Sequence, residues 1–211
     1  MSFSGIPGAD SVEGVAVGVV TDNEDPDGMG RVKLEFPWRE ASDESYWARI
    51  AAPMAGKDMG TFFLPEVGDE VLVGFENGDV SHPYVLGALW NGKETPPEDN
   101  ADGNNDVRQV KSRRGHVLTF DDNDTEGKVE IETNAGHKIV LDDASGGEKI
   151  TIEDKSGQET IEFDAVSSSL SIEAGAKLTI EAPQVELLAD GNMKLDASGM
   201  LTLKGAVIKL N

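Results

Sequence analysis

The strongest constraint on the fold of this chain is a repeat that fills its second half. The segment Gly115–Asp122 (GHVLTFDD) returns as Gly136–Asp143 (GHKIVLDD), and a weaker copy follows at Gln158–Asp164 (QETIEFD). A second motif alternates with the first, at Lys128–Glu132, Lys149–Glu153 and Leu170–Glu173. The repeat is 21 or 22 residues long and contains two short strand patterns with two turns. Self-similarity at a fixed period predicts a β-solenoid or β-helix.

The repeat becomes shorter after Ile172. Large apolar residues then follow at intervals of 8, 7, 8, 8 and 7 residues, at Ile180, Leu187, Leu195, Leu203 and Leu210. Apolar and polar residues still alternate in this segment, which is the pattern of half-buried strands. We therefore expect the β-structure to continue to the C-terminal end, and the shorter period predicts that it narrows there.

The repeat also predicts self-association. A single chain would form a narrow ribbon with one apolar face and two open edges, which is marginally stable in water. Three copies around one axis would bury the apolar faces, with the strands of each chain pairing with those of its neighbours. A monomeric solenoid is the alternative. The residues predicted to form the trimer core are Leu118, Phe120, Ile131, Ile139, Leu141, Ile152, Ile161, Phe163, Ile172, Ile180, Leu187, Leu195 and Leu203.

The first half of the chain has the pattern of a small all-β domain. Candidate strands are Val15–Val20, Arg31–Phe36, Tyr46–Ile50, Glu70–Phe75 and Tyr84–Leu89. Between the last two strands, Asn77-Gly78 predicts a hairpin because both residue types tolerate a positive φ. Five short strands in about 80 residues predict a small closed or partly open barrel.

Composition shifts predict the domain boundaries. Residues 93–110 are rich in Pro, Gly, Asn, Asp and Glu and contain few apolar residues, which indicates a linker. We therefore divide the chain into an N-terminal arm (1–13), a barrel (14–92), the linker (93–110) and a repetitive β-domain (111–211).

Charge and composition exclude several classes of function. The formal net charge is −22, which argues against a broad electrostatic grip on nucleic acid or on anionic membranes. Cysteine is absent, which excludes disulfides and thiolate chemistry. The acidity fits either general solubility or adaptation to a high-salt cytoplasm, and the sequence favours neither.

The first half resembles the OB-fold domain of phage baseplate assembly protein V and VgrG-type spike proteins. The resemblance lies in the segment from Gly18 to Trp38 and in LPEVGDEVLV and HPYVLGALWNG further along, and it covers most of residues 14–92. The residues that carry it as an OB-fold signature are Gly30, Arg31, Val32, Pro37, Trp38, Trp47, Pro65, Gly68, Asp69, Glu70, Pro83 and Gly87. The repeats at 111–211 resemble the β-helical needle that follows this domain in the same family.

The resemblance implies an all-β chain with an N-terminal OB-fold barrel and a C-terminal intertwined trimeric β-helix or β-prism needle. It implies a structural function as the puncturing spike of a phage-tail-like contractile injection system. Such a spike is assembled in the cytoplasm within a baseplate and acts in an extracellular or virion-like particle, or on ejection into a target envelope. We expect no catalytic residue, cofactor or metal, and only transient contact with a target membrane.

Departures from the family pattern imply two separate partner proteins. Only about a dozen residues precede the first strand, so a separate hub protein at the baseplate is expected, together with tail-tube contacts. The His-x-His iron motif of some phage needles is missing, and the chain stops in alternating pattern. A PAAR-type tip protein is therefore expected to contact Ile208, Leu210 and Asn211.

Other motifs have simpler interpretations than a binding or catalytic site. Asp121–Gly127 resembles a calcium loop, but with Asp122 as the first ligand the twelfth position is Thr133 instead of Glu, so we interpret the segment as an acidic turn. His116 and His137 occupy equivalent repeat positions and are interpreted as polar residues at strand edges. Glu66, Asp69 and Glu70 lie in a turn into a strand, and no nucleophile or base pattern accompanies them.

Two rival functions remain open at this stage. The first is an OB-fold protein that binds an oligosaccharide or nucleic acid and carries an oligomerising β-tail. The second is a spike-associated cell-wall hydrolase.

Overall fold

The computed structural model describes residues 11–39 and 44–209. The chain divides into two compact units, residues 1–103 and 104–211. Within the described ranges, no helix has the length and apolar character needed to cross a bilayer.

The first unit is built from seven short strands. In chain order they are β1 (Val15–Asp22), β2 (Lys33–Glu35), β3 (Arg49–Ile50), β4 (Ala55–Gly56), β5 (Met59–Gly60), β6 (Glu70–Phe75) and β7 (Pro83–Ala88). Five of them form one sheet in the order β2-β1-β6-β7-β3, and β4 and β5 form a separate hairpin. Within the larger sheet only β3 and β7 run parallel.

The five-stranded sheet closes on itself. A bridge joins Val32, just before β2, to Ala48, just before β3, through hydrogen bonds of 3.0 and 2.7 Å between their backbone groups. The strand at one edge of the sheet is thereby joined to the strand at the other edge, which makes the unit a barrel. The side chains that fill it are small and mostly β-branched: Val20, Val32, Leu34, Phe36, Ala48, Val71, Val73, Val80 and Val85.

The five predicted strands of the first half are confirmed in their order. β6 has the predicted bounds, whereas β2 and β3 are shorter than Arg31–Phe36 and Tyr46–Ile50. The hairpin β4–β5 was not predicted, because its four residues carry no alternating pattern. The connection between β6 and β7 contains a 3₁₀ turn at Glu76–Gly78, in which Asn77 and Gly78 have φ of 52° and 81°. The positive φ predicted for this pair is therefore confirmed.

The second unit is a single antiparallel meander. Its strands are β8 (Val107–Lys111), β9 (Val117–Asp121), β10 (Lys128–Glu132), β11 (Lys138–Asp142), β12 (Lys149–Glu153), β13 (Thr160–Asp164) and β14 (Ser169–Glu173). Each strand pairs with its neighbours in sequence, so the order across the sheet is the order along the chain. At about 4.7 Å per strand, the seven strands extend roughly 30 Å across the sheet.

One turn design recurs at every second connection. The backbone N–H groups of Gly115, Gly136 and Gly157 each donate to the carbonyl three residues before, at 2.8 to 3.0 Å. All three glycines have a positive φ, between 68° and 94°, which other residues adopt at a cost. These turns explain why glycine returns with the period of the sequence repeat.

Cross-strand charges fix the register of the sheet. Along one edge of its polar face, oppositely charged residues stand directly opposite one another from strand to strand. This ladder, which we call the charge ladder, consists of Asp121, Lys128, Asp142, Lys149 and Asp164. A shift by one residue would bring apolar side chains opposite charges, so the ladder favours the observed pairing.

Two details of the repetitive domain differ from the sequence-based expectation. β8 begins at Val107, so the predicted linker 93–110 ends before this strand rather than at Val110. The strands of residues 107–173 pair within one chain, whereas the sequence analysis expected them to pair between chains. The turns are short enough for each strand to fold directly back onto the one before it.

Residues 174–209 contain no strand, although their apolar and polar residues alternate. All the side chains in this segment are exposed. Among the described residues, no backbone hydrogen bond joins this segment to another part of the chain. Its backbone groups therefore have no protein partner within a single copy.

Candidate functional site

One face of the meander carries almost only apolar side chains. In the observed register these residues line up in two columns that cross every strand from β8 to β14. The first column is Val110, Leu118, Ile131, Ile139, Ile152, Ile161 and Ile172. The second column is Phe120, Val129, Leu141, Ile150, Phe163 and Leu170, with Arg108 at its β8 end. We call this surface the apolar face.

The opposite face of the same strands is polar. Its middle column contains Gln109, Thr119, Glu130, Thr151, Glu162 and Ser171, with Val140 as the apolar member. The charge ladder lies on this face as well. The sheet therefore has one side suited to water and one side suited to a protein core.

The apolar face is uncovered in a single copy of the chain. All its apolar members except Leu118 and Val129 keep between 36% (Ile161) and 56% (Leu170) of their accessible surface. The first column lines an open groove from Ile131 to Ile172, and Leu178 lines the same groove. A contiguous apolar surface of this extent on a chain of net charge −22 is the mark of an interaction site.

The structure brings together nine of the residues predicted for a trimer core. They are Leu118, Phe120, Ile131, Ile139, Leu141, Ile152, Ile161, Phe163 and Ile172, and all lie on the apolar face. Sequence reasoning missed Val110, Val129, Ile150 and Leu170, which complete the two columns. For Val129, Ile150 and Leu170 the alternation within the strand was the signal, since each lies two residues from a predicted member; Val110 has no predicted member in its own strand.

The remaining predicted core residues lie in residues 174–209, which contain no strand. Ile180, Leu187, Leu195 and Leu203 are between 58% and 67% exposed, as expected for side chains with no neighbouring strand. Of the predicted tip contacts, Ile208 is also exposed. Leu210 and Asn211 lie outside the described residues.

The OB-fold signature residues hold the barrel together. Val32 and Pro83 are buried, and Gly30 and Gly68 have φ of 67° and 101° in the loops that flank the strands. The Asp69 carboxylate accepts the Glu66 backbone N–H at 2.8 Å, which closes the turn into β6. These contacts give the residues a structural role.

The remaining signature residues support the loops and strands around the barrel. The Pro65 carbonyl accepts a hydrogen bond of 2.9 Å from the Asn23 side-chain amide. The Glu70 backbone carbonyl accepts one of 2.9 Å from the Leu89 N–H. The Trp38 ring lies 5.4 Å from the Phe36 ring, and Pro37 stands between these two residues in the chain. Gly87 lies in β7 opposite Leu72.

Arg31 is the most highly connected residue of the signature. Its guanidinium donates to both carboxylate oxygens of Asp25, at 2.8 and 2.6 Å, and to Asp27 at 2.6 Å. The Arg31 guanidinium holds the pKa of Asp25 well below its usual range, and the Asp25 carboxylate in turn raises the pKa of Arg31. The Trp47 ring lies 5.9 Å from this guanidinium and 5.3 Å from the Lys33 ammonium.

The two repeat histidines support the turns. His116 Nδ1 accepts the backbone N–H of Asn134 at 3.2 Å, and His137 Nδ1 accepts that of Lys155 at 3.3 Å. Each imidazole thus joins its own turn to the next turn on the same side of the sheet. This contact is a more specific role than the polar strand-edge position that the sequence analysis assigned to them.

The acidic segment Asp121–Gly127 forms a side-chain-capped turn. The Asn123 side-chain oxygen accepts the backbone N–H groups of Thr125 and Glu126 at 3.1 and 3.0 Å, and Asp121 accepts that of Asn123. Within residues 11–39 and 44–209, no group of three or more His, Asp or Glu side chains is arranged to hold a metal ion.

Fold and surface together define a class of protein. A small five-stranded barrel precedes a short-stranded sheet whose uncovered apolar face calls for further copies, and a strandless segment follows. The chain is therefore an all-β protein with a small barrel in its first unit and an exposed apolar sheet face in its second.

Comparison with known families makes the identification specific. The type VI secretion system/phage-baseplate injector OB domain matches residues 16–90, and the phage baseplate V C-terminal trimerisation domain matches residues 128–211. The two models together match most of the chain, which belongs to the phage baseplate V family of injector proteins. The all-β fold class with an OB domain and a C-terminal trimerisation domain is thereby confirmed.

Individual relatives match a third to a half of this chain. The type VI secretion system spike protein VgrG3 of Vibrio cholerae is 40% identical over 75 residues, which is 34% of this chain and 7% of that protein. The spike protein VgrG2a of Pseudomonas aeruginosa is 34% identical over 104 residues, 46% of this chain and 12% of that protein. The actin cross-linking toxin VgrG1 of Vibrio cholerae is 39% identical over 75 residues, again 7% of that protein. The matches thus span roughly a tenth of these relatives.

Proposed function

We propose that this chain is the trimeric central spike of a phage-tail-like contractile injection system. The observation that carries the proposal is the uncovered apolar face in a part of the chain that belongs to a trimerisation domain. Burying a Leu or Ile side chain completely contributes about 1.5–3 kcal/mol, so covering the remaining half of each side chain contributes on the order of 1 kcal/mol. Three copies that turn their apolar faces toward one axis gain this contribution along both columns.

The strandless segment 174–209 fits an intertwined continuation of the same assembly. Extended backbone that alternates apolar and polar residues needs neighbouring strands to satisfy its N–H and C=O groups. Within one described copy those groups find no backbone partner. In the proposed trimer, the segments of three copies wind around the axis and supply one another's hydrogen bonds.

A mechanical role follows from this arrangement. Strands that are cross-braced within each sheet and between copies leave no long open edges and resist compression along the axis. We propose that the shaft is driven against a target envelope, that its action is structural and non-enzymatic, and that it is assembled in a baseplate before release or ejection. The actin cross-linking toxin activity of VgrG1 of Vibrio cholerae belongs to that protein, of which this chain matches 7%.

We further propose a hub protein and a PAAR-type tip protein as partners. Exposed apolar residues on the barrel support the hub contact: Met54, Met59, Phe62, Phe63 and Val67 are each more than half exposed. Val207 and Ile208, which are also exposed, support the tip contact. In this proposal the barrel lies at the baseplate and the end of the shaft carries the tip.

A cysteine experiment tests the trimeric shaft. The chain contains no cysteine, so a single introduced cysteine reports one position. Leu195→Cys would place three thiols at the axis, and oxidation should link pairs of chains into dimers on non-reducing gels. Asp196→Cys, one residue along and on the outside, is the matched control and should remain largely unlinked. Equal cross-linking of both variants would contradict the arrangement.

Labelling of particles tests the function itself. An antibody against residues 104–173 should mark one end of contractile particles purified from the producing cell. A Phe62→Ser/Phe63→Ser variant should keep the trimer mass and lose co-purification with the baseplate. If the chain is found only outside such particles, the spike function is wrong even if the trimer is correct.

A further inference from the structure

A cleft on the outer surface of the barrel has the features of a ligand site. It is an open cavity of about 570 Å³ beside β3, β7 and the loop that connects β6 to β7. This volume lies within the range of small-molecule and oligosaccharide sites. The lining residues are Tyr46, Trp47, Arg49, Glu76, Ser81, His82, Pro83 and Tyr84.

The position of the cleft follows from strand alternation. Ala48 and Val85 point into the barrel core, so Trp47, Arg49 and Tyr84 lie on the outside. OB-folds bind oligonucleotides or oligosaccharides on the face of their second and third strands and with the loop between the last two strands, and the cleft shares β3 and that loop with this surface. The loop here contains Glu76, Ser81 and His82.

The side chains of the cleft form a pre-arranged polar network around aromatic rings. Arg49 donates to the Tyr84 hydroxyl and its guanidinium lies 4.7 Å from the Tyr84 ring centre. Tyr84 in turn donates to Glu76 Oε2 at 2.7 Å. On the far side, His82 Nδ1 lies 3.0 Å from Asp79 Oδ2, and hydrogen bonds from the Ser81 backbone lower the pKa of Asp79.

Several groups in the cleft remain free to contact a ligand. The Tyr46 ring is 73% exposed. The Tyr46 hydroxyl and the Nε2 atom of His82 form no hydrogen bond with any residue that the structure describes. Proteins recognise sugars with this combination of groups. The sugar rings stack on aromatic side chains, and fixed polar groups of the protein form hydrogen bonds with the sugar hydroxyls.

The charge of the cleft selects among ligand classes. Arg49 is the only arginine or lysine among the lining residues, and the Tyr84 hydroxyl that accepts its hydrogen bond donates in turn to Glu76. The basic residues of the adjacent strand are already paired: Arg31 with Asp25 and Asp27, and Lys33 with Glu44 at 2.9 Å. A nucleic acid would find no surplus positive charge here, and the net charge of −22 would repel it.

We propose that this cleft binds an uncharged oligosaccharide, with the Tyr46 ring as the stacking surface and the Arg49–Tyr84–Glu76 network as hydrogen-bonding partners. This function is additional to the spike and does not depend on trimerisation. A glycan contact at the barrel would add a recognition function to a protein otherwise proposed to be mechanical.

Calorimetric titration of the full chain tests the proposal. The probes are the tetrasaccharides of N-acetylglucosamine, maltose-type glucose and cellulose-type glucose, with a twelve-residue oligo-dT as the competing class. At least one tetrasaccharide should bind with a Kd below about 1 mM, and its affinity should not change between 50 and 500 mM salt.

Two matched variants locate the binding. Tyr46→Ala should weaken it about fivefold or more, as expected for the loss of one stacking ring. Trp90→Ala removes an equally exposed aromatic residue that does not line the cleft, and should leave the affinity unchanged. A circular dichroism spectrum of each variant confirms that the barrel is intact.

Three results would overturn the proposal. They are the absence of binding by all three tetrasaccharides at 10 mM, binding that Tyr46→Ala does not weaken, and tighter, salt-sensitive binding of oligo-dT. None of these results would bear on the mass of the assembly, which tests the spike separately.

Discussion

The Asp25 carboxylate organises the loop between β1 and β2. It accepts the backbone N–H groups of Asp27, Met29 and Arg31 at 3.0 to 3.2 Å, as well as the Arg31 guanidinium. Its side chain is 3% exposed. One buried carboxylate thus accepts hydrogen bonds from three backbone N–H groups and one guanidinium of the loop, whose sequence is DPDGMG.

Replacing Asp25 by Ala should lower the melting temperature of the barrel by several degrees, because three N–H groups and a guanidinium lose their acceptor. All three tryptophans (Trp38, Trp47 and Trp90) lie in the barrel unit, so tryptophan fluorescence reports its unfolding selectively. Asp27→Ala, at an exposed position that pairs only with the same arginine, is the control and should have a smaller effect. Equal melting temperatures for the two variants would refute this role.

The barrel should also lose stability in acid. Arg31 lowers the pKa of Asp25, and Lys33 lowers that of Glu44. A carboxyl group whose pKa is lower in the folded state stabilises the fold above its unfolded pKa of about 4, and this stabilisation disappears as the pH falls below that value. Urea unfolding followed by tryptophan fluorescence should therefore show falling stability from pH 5 to pH 3. Asp25→Asn should make this decline shallower, and an unchanged slope would contradict the assignment.

At the level of secondary-structure elements, the charge ladder is expected to specify strand pairing. Lys149 stands opposite Asp142 and Asp164, and its ammonium lies 3.5 Å from Glu162. Lys149→Glu would set like charges against each other across two strand pairs, at a cost on the order of 1 kcal/mol. Lys155→Glu makes the same charge change in an exposed turn and should have less effect. Urea unfolding followed by far-ultraviolet circular dichroism should separate the two, and equal stabilities would mean that the ladder does not contribute.

The sequence predicted the elements whose pattern is local. The alternation in Glu70–Phe75 gave β6 with its bounds, and the repeat gave the strands from β9 to β14. The strand β8 was missed because Val107–Lys111 contains only two apolar residues. It is a strand because it pairs with β9, and its own sequence shows no alternating pattern. Likewise β4–β5 depends on Gly60, whose φ of 152° does not show in the sequence.

The apolar face was also predicted only in part, because the sequence shows local patterns and not the contacts between strands. The nine members that the repeat aligns were identified, whereas Val129 and Ile150 were overlooked because the prediction kept only one apolar residue from each copy of the second motif. The roles of His116 and His137 were beyond sequence reasoning. Each contact spans 18 residues and depends on how successive turns stack.

For the whole molecule, the apolar face should control assembly. Ile152→Asn places an amide in the middle of the first column, where a trimer would bury it without partners, at a cost of roughly 1–3 kcal/mol per chain. Thr151→Asn makes a similar change one residue away on the polar face. Light scattering after size exclusion should show a shift toward monomer for Ile152→Asn and an unchanged trimer for Thr151→Asn. The same behaviour from both variants would mean that the apolar face is not the interface.

The central claim is that three copies of this chain form one assembly. The most direct test is the mass of the purified full chain in solution, measured by multi-angle light scattering at several salt concentrations. One chain has a mass of 22.5 kDa, so the account predicts a species of three times 22.5 kDa that persists on dilution. A stable species of 22.5 kDa that retains its β-sheet circular dichroism signal would contradict it.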